Sequence, residues 1–152
     1  MPHEDGPAYA PVVATVSLAG SIVLDLYEKG TSHSRRDSVN KGDVNGEDGK
    51  EDMTPEDIEK DEHGRPIPTW RILQEPGSLL VTTGEAYEVL LHGISPITRD
   101  TDLGPDTVAN WELLGGKELF ADGVNERETR ISLTYRDVLK VSRINIGVLG
   151  KR

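Results

Sequence analysis

Alternation of apolar and polar residues predicts strands near the start of the chain. The segment 11–18 (PVVATVSL) has a period of two, and the same period returns over 22–27 (IVLDLY). A period of two is typical of a β-strand, because successive side chains point to opposite faces of a sheet. Since Ala19-Gly20-Ser21 offers a turn between the two segments, we predict that they form a β-hairpin.

Similar patterns predict further short elements later in the chain. We expect extended segments at 69–73, 78–82, 92–94 and 130–136, with a helical turn within 85–91. The last segment alternates strictly, with apolar side chains on one face and polar side chains, including Arg130 and Arg136, on the other. Those two arginines are either solvated or directed into a polar pocket. Short strands joined by turns and two long loops favour a mainly β, antiparallel sandwich or barrel.

Two segments lack this periodicity. Residues 29–68 are rich in Gly, Ser, Asp, Glu and Lys, and 99–128 form a second polar stretch. The first has too few apolar residues to offset the entropy cost of ordering, so we expect a disordered acidic insertion, with an acidic binding segment as the alternative. A capping pattern at 54–60 predicts a short helix inside it. We expect one domain over residues 1–147 and a tail at 148–152.

Composition narrows the possible classes of protein. The 152 residues include no cysteine, which excludes disulfides, thiolate zinc sites and thiol nucleophiles and suits the nucleus or cytoplasm. No apolar run is long enough to span a bilayer, so we expect no membrane partner. The formal charge of -10 argues against broad contact with a phosphate backbone, although it leaves a local basic patch open.

A possible metal site is suggested by His3 and Asp5, which lie two positions apart. In extended backbone both side chains point to the same side, so they can hold one metal ion. His92, at the entry of a later strand, is the natural third ligand, which would complete a two-histidine, one-carboxylate triad with open positions. The alternatives are a frayed N-terminal tail and a histidine hydrogen-bonded in a turn. His33 and His63 lie in the polar insertion, where we expect them to be solvated.

Three motifs, taken in order, resemble the AlkB family of dioxygenases. They are His3-Glu4-Asp5, the run from Gly84-Glu85-Ala86 to Leu91-His92-Gly93-Ile94, and the strand from Arg130 to Arg136 with two arginines six positions apart. The blocks 2–9 and 75–81 look closest to the subfamily of the sixth AlkB homologue. The resemblance covers most of the chain outside the two polar segments. It implies a double-stranded β-helix, or jelly-roll, core with a long acidic loop insertion.

The resemblance also implies roles for individual residues. His3, Asp5 and His92 would ligate Fe(II), and Arg130 would hold the distal carboxylate of 2-oxoglutarate. Arg136 would support Asp5 or the other carboxylate of 2-oxoglutarate, and Ser132 would donate a hydrogen bond. The family often has Asn where this chain has Ser132, which leaves the last role open.

The implied reaction is oxidation of a C–H bond with release of succinate and carbon dioxide. 2-Oxoglutarate and O2 are the expected partners, and demethylation of alkylated nucleic acid is one form that the reaction takes in this family. Family members have a strand, an Asn-x-Tyr segment and a substrate lid before the His-x-Asp motif, so we expect an N-terminally truncated domain. The alternative is an inactive β-domain that binds a partner, and a cupin-like binding module ranks last.

Overall fold

The computed structural model describes residues 1–28, 58–62 and 64–140, and within these ranges most regular structure is β-strand. Within them no helix is long and apolar enough to cross a bilayer. The strands are β1 (Tyr9–Ala19), β2 (Ile22–Tyr27), β3 (Trp70–Gln74), β4 (Leu79–Thr83), β5 (Leu91–Gly93), β6 (Arg99–Asp100), β7 (Asn125–Glu126) and β8 (Ile131–Val138). One short α-helix, α1 (Glu85–Glu88), precedes β5, and 3-10 helices span Trp111–Leu113 and Lys117–Phe120.

The strands form two three-stranded antiparallel sheets and one small strand pair. The first sheet has the order β4-β1-β8, the second sheet has the order β3-β2-β5, and β6 pairs with β7. The prediction of a mainly β, antiparallel fold is therefore confirmed, and the arrangement is consistent with a jelly-roll core. The predicted helical turn within 85–91 is present as α1.

The predicted hairpin of the first two strands is wrong. Both strands are present, but β1 pairs with β4 and β8, whereas β2 pairs with β3 and β5. The chain therefore passes from one sheet to the other at Gly20, which has a φ of 64°. A Cβ atom at Gly20 would lie 2.8 Å from the carbonyl oxygen of Thr129, so this corner requires glycine.

Because side chains alternate along each strand, the two faces of the first sheet differ in polarity. In the first sheet the polar side chains of β8, among them Thr134 and Arg136, face a cavity between the sheets. The apolar side chains on the opposite face are exposed: they are Val12, Leu18, Leu79, Val81, Ile131, Leu133 and Tyr135. The sequence left two alternatives for Arg130 and Arg136, exposure to solvent or a polar pocket. In the structure both arginines line the cavity between the sheets.

The larger hydrophobic cluster lies on the outer face of the second sheet. Val23 and Leu73 supply its sheet side, and the segment predicted as a polar loop covers them with Leu103, Val108, Leu114 and Phe120. The same segment also covers the edge strand β3. The side chain of Asn110 accepts from the Leu73 N–H at 2.9 Å and donates to the Leu73 carbonyl at 2.8 Å, as a neighbouring strand would.

Part of the predicted acidic insertion also has backbone contacts. The Ile67 N–H donates to the Glu59 carbonyl, and Lys60 forms a β-bridge with Pro66. Ile58 is buried against Tyr27 and Leu91, which ties this turn to the second sheet. Residues 29–57, His63 and the predicted tail at 148–152 lie outside the described residues, as do His33 and most of the predicted helix at 54–60.

Truncation of Leu73 should test the importance of the larger cluster. Leu73 is 1% exposed, so Leu73→Ala should lower the free energy of unfolding by about 2–5 kcal/mol through lost burial and an unfilled cavity. Urea denaturation followed by circular dichroism measures the change. Leu79→Ala is the matched control, because Leu79 is 62% exposed on the first sheet. Equal losses in the two variants would contradict this assignment of the core.

Stability should also depend on the protonation of Asp25, on the outer face of the second sheet. Burial raises the pKa of the Asp25 carboxyl above its ordinary value of 3.8, against the lowering effects of Ser95 and Arg71. The folded state therefore keeps this proton to a higher pH than the unfolded state does. This contribution to the free energy of unfolding is full below pH 3.8 and is lost as the pH rises through the raised pKa.

Asp25→Asn should therefore flatten the pH dependence of stability in that window. Urea denaturation at a series of pH values above 3.8 measures it, with Asp106→Asn as the control for loss of one exposed carboxylate. A slope that is the same in Asp25→Asn as in the parent chain would show that Asp25 does not cause it.

Candidate functional site

A cavity of about 380 Å³ lies between the two sheets, and five of the six predicted site residues line it. We call it the interior cavity. The predicted residues in its wall are His3, Asp5, His92, Arg130 and Arg136. The sixth, Ser132, contacts Arg130. Residues that are distant in sequence thus meet because β1, β4 and β8 turn one face toward the second sheet.

The two histidines lie side by side on paired backbone. The His3 N–H donates to the His92 carbonyl at 2.9 Å, and the His92 N–H donates to the His3 carbonyl at 3.0 Å. Their ring centroids are 4.5 Å apart. Burial lowers the pKa of His92 below its ordinary value of 6.5, and the neighbouring His3 lowers it further. His92 is therefore held toward its neutral form, which is the form that ligates metals.

A tyrosine that the sequence patterns did not identify anchors the N-terminal segment. Tyr87 in α1 donates its hydroxyl to the Gly6 carbonyl at 3.0 Å. Gly6 follows Asp5 directly, so this bond, together with the backbone pairing of His3 and His92, holds the His-x-Asp segment over the interior cavity. The α1 turn therefore both leads into β5 and fixes the segment opposite it.

Asp5 is held by an arginine. Both Nε and Nη2 of Arg136 donate to Asp5 Oδ1, at 2.8 and 2.6 Å, and the guanidinium lies over the ring of Tyr9. Of the two roles predicted for Arg136, the structure has the contact with Asp5. Within the described residues no three His, Cys, Asp or Glu side chains are close enough together to form a metal site as they stand. The carboxylate faces the same cavity as the imidazoles without converging on them.

Arg130 has hydrogen-bond partners but, within the described ranges, no carboxylate partner. Its Nη1 donates to Ser132 Oγ at 2.6 Å and its Nη2 donates to Gln74 Oε1 at 3.0 Å. The role of Ser132 as a hydrogen-bond donor stays a prediction. Its Nε is buried and has no hydrogen-bond partner among the described residues. Burial also lowers the pKa of Arg130, and no ion pair within the described ranges offsets its desolvation. Such a guanidinium is suited to an anion in the cavity.

Gln74 and Ser17 support Arg130. The sequence patterns did not identify either residue. Gln74 Oε1 accepts from both Arg130 and Ser17 Oγ, the latter at 3.2 Å. Gln74 ends β3, one residue beyond the predicted strand, and Ser17 was one polar position in an alternating run. A single polar residue in a strand gives no signal in sequence, because its partner comes from another sheet.

The order of the motifs around the interior cavity is similar to that of AlkB proteins. The sequence comparison agrees: the chain is 29% identical, over all 152 of its residues, to a zebrafish (Danio rerio) protein described as "Probable RNA/DNA demethylase ALKBH6". The aligned region makes up 53% of that relative, so the chain spans about half its length. No protein-family model matches the chain.

Loss of the Gln74 side-chain amide should destabilise the chain. Gln74→Leu leaves the fully buried hydroxyl of Ser17 and one nitrogen of Arg130 without their acceptor, which should cost about 1–3 kcal/mol of unfolding free energy. Urea denaturation measures the loss. Ser17→Ala in the Gln74→Leu background should recover part of it, because the unsatisfied hydroxyl is then absent. A Gln74→Leu chain as stable as the parent would show that these bonds contribute nothing.

Proposed function

We propose that this chain carries the metal and co-substrate site of an AlkB-type, Fe(II)- and 2-oxoglutarate-dependent dioxygenase, which oxidises a C–H bond and releases succinate and carbon dioxide. One observation carries the proposal. Two adjacent imidazoles and a guanidinium with no carboxylate partner in the described chain face the same cavity between the sheets.

The donor atoms suit Fe(II). Two neutral imidazoles and one carboxylate form the ligand set that non-haem iron oxygenases use, and it leaves positions for a co-substrate and oxygen. We assign the metal to His3, His92 and Asp5. Both hydrogen bonds from Arg136 end on Asp5 Oδ1, so Oδ2 is the oxygen that we assign to the metal. When bound, iron would supply the activation of oxygen, which no side chain in the cavity provides.

The residues around Arg130 suit a dicarboxylate. A guanidinium presents parallel N–H donors that match a carboxylate, which Lys cannot reproduce. The orphan Nε of Arg130 gives the anion a donor that the protein leaves unused in the described residues. Gln74 and Ser132 hold the guanidinium in place, and Leu24, Leu26 and Leu80 form an apolar wall suited to the methylene groups of 2-oxoglutarate. We assign the distal carboxylate of 2-oxoglutarate to Arg130.

Arg136 positions a ligand in this proposal. Its contact with Asp5 orients that carboxylate, as second-sphere partners of metal ligands do. The cation also lies over the ring of Tyr9, which limits the side-chain positions open to it. Arg136 therefore has a task distinct from that of Arg130, although both project from the same face of one strand.

The substrate class that we propose is alkylated nucleic acid, taken from the description of the zebrafish relative as an RNA/DNA demethylase. The chain's formal charge of -10 gives little support for binding along a phosphate backbone. Recognition of a single base that is turned out of its stack would need fewer phosphate contacts, and it would bring an N-methyl group to the metal.

The second candidate function is a β-domain that binds a partner without oxidising a substrate. The observation that favours it is the row of exposed apolar side chains on the outer face of the first sheet, which includes Leu79, Ile131 and Tyr135. Apolar patches of this kind mark interaction surfaces. The two candidates differ in whether the interior cavity binds metal and co-substrate.

Anaerobic titration with Fe(II) and 2-oxoglutarate tests the proposal. The chelate of the two should give a weak visible charge-transfer band in the parent chain. His92→Ala should abolish the band, because one imidazole is lost. Arg130→Ala should weaken binding of 2-oxoglutarate by about 10–100-fold, the equivalent of one charge-assisted interaction. Arg130→Lys should not restore it, because Lys lacks the planar pair of donors.

The matched control is Arg99→Ala, which removes an exposed arginine paired with Glu126 at 3.0 Å, away from the interior cavity. Its titration should match that of the parent. A folded parent chain that gives no band would overturn the dioxygenase proposal and leave the binding domain as the better function. A band that survives in both His92→Ala and Arg130→Ala would place the chelate elsewhere.

A further inference from the structure

A second cavity, of about 630 Å³, lies on the outer face of the second sheet. We call it the outer cavity. Alternation in β2 separates it from the interior cavity, since Leu24 and Leu26 line the interior one whereas Asp25 and Tyr27 line the outer one. Of the described residues, the two cavities share only Met1, Gly93 and Ile94 in their walls. The outer cavity is therefore not part of the site described above.

Most of the wall of the outer cavity is apolar. It is formed by the turn that precedes β3 and by the segment after β5, through Pro66, Ile67, Pro68, Ile94, Pro96 and Ile97. The N-terminal segment closes one side. A Cβ atom at Gly93 would lie 3.3 Å from Pro2 Cα, so glycine at this position lets the N-terminal backbone approach closely. A cavity of this size, with apolar walls and few polar groups, is typical of small-molecule sites.

The main polar group in this cavity is the carboxylate of Asp25, whose side chain is 9% exposed. Its Oδ2 accepts from Ser95 Oγ at 3.0 Å and from Tyr27 at 3.5 Å. Its Oδ1 is 3.8 Å from Arg71 Nε, which is beyond hydrogen-bond distance. The terminal nitrogens of Arg71 donate instead to the carbonyls of Thr101 and Asp102. Arg71 is thus held back from Asp25.

Another buried aspartate in the same chain shows what a structural ion pair looks like. Asp100 receives two hydrogen bonds from Arg127, at 2.6 and 3.0 Å, and a third from Asn125 at 2.9 Å. Both of its oxygens are engaged. Asp25 lacks such pairing, and Oδ1 has no hydrogen-bond donor among the described residues. An acceptor that faces a largely apolar cavity without a hydrogen-bonded donor favours a donor from outside the chain.

Charge in the wall favours a positively charged donor. Two of the three aspartates in this wall are paired, Asp61 with Arg65 at 2.7 Å and Asp100 with Arg127 at 2.6 Å. Asp25 is the third, and among the described residues no cation is within hydrogen-bond distance of it. Burial raises the pKa of the Asp25 carboxyl, so a cation beside it would offset the cost of desolvating its charged form.

We propose that the outer cavity binds a small organic cation, with an apolar body in contact with the proline- and isoleucine-rich wall and an ammonium or amidinium group that donates to Asp25 Oδ1. This site is independent of iron and 2-oxoglutarate. It stands even if the proposed dioxygenase function fails.

Benzamidine, which has an aromatic body and an amidinium group, is the probe. Titration of the isotope-labelled chain should give saturable shifts of the backbone amides of Gly93, Ile94, Ser95 and Ile97. Asp25→Asn should weaken binding at least tenfold, the equivalent of about 1.4 kcal/mol. Asp61→Asn is the matched control, because Asp61 lies at the wall but pairs with Arg65, and it should bind benzamidine as the parent does. Benzyl alcohol, which has the same ring without the charge, should bind much more weakly.

A second variant keeps the test decisive if Asp25→Asn does not fold. Ile67 lines the outer cavity and is 42% exposed, so Ile67→Trp should narrow the cavity without disturbing the core. It should weaken the binding of benzamidine while Asp25 remains in place. The proposal is overturned by a folded parent that shows no saturable shifts, by equal binding of benzyl alcohol, by unchanged binding in Asp25→Asn or Ile67→Trp, or by shifts confined to residues of the interior cavity.

Discussion

The interior cavity depends on the corner at Gly20, where the chain leaves the first sheet and enters the second. The corner packs against the Thr129 carbonyl so closely that a side chain would collide with it. Because β1 and β2 separate here, one strand carries Thr15 and Ser17 toward the interior while the other carries Leu24 and Leu26 toward the same space. A hairpin at this point would have placed both strands in one sheet and left no space between sheets for the site.

The separation of the sheets has an energetic cost that the rest of the fold offsets. Burial between the sheets desolvates Arg130, and hydrogen bonds to Gln74 and Ser132 compensate for this only in part. The apolar faces of the same strands are exposed. The stabilising burial lies instead on the outer face of the second sheet, where Leu73 and its neighbours pack. The hydrophobic core and the candidate site therefore occupy opposite faces of one sheet.

Sequence patterns predicted individual strands but not their partners. A period of two is a local property, so β1 and β2 could be located, whereas pairing depends on contacts across the whole chain. The motifs around His3, His92 and Arg130 were predicted through the resemblance to AlkB proteins, and their assembly at one cavity agrees with the order of those motifs. The segment 99–128 shows a case in which sequence patterns did not identify core residues. Its core residues, among them Leu103 and Phe120, are spaced irregularly along a polar stretch, so no periodic pattern marks them as buried.

The short strand β5 connects packing on one side of the second sheet to chemistry on the other. His92 faces the interior cavity, while Leu91 on the opposite face packs against Tyr27 and Ile58. Strand β5 is only three residues long, so few backbone hydrogen bonds to β2 hold it in place. Contacts of Leu91 with the turn around Ile58 therefore help to hold His92 beside His3. The described end of the acidic segment therefore has a structural role that its charged composition does not indicate.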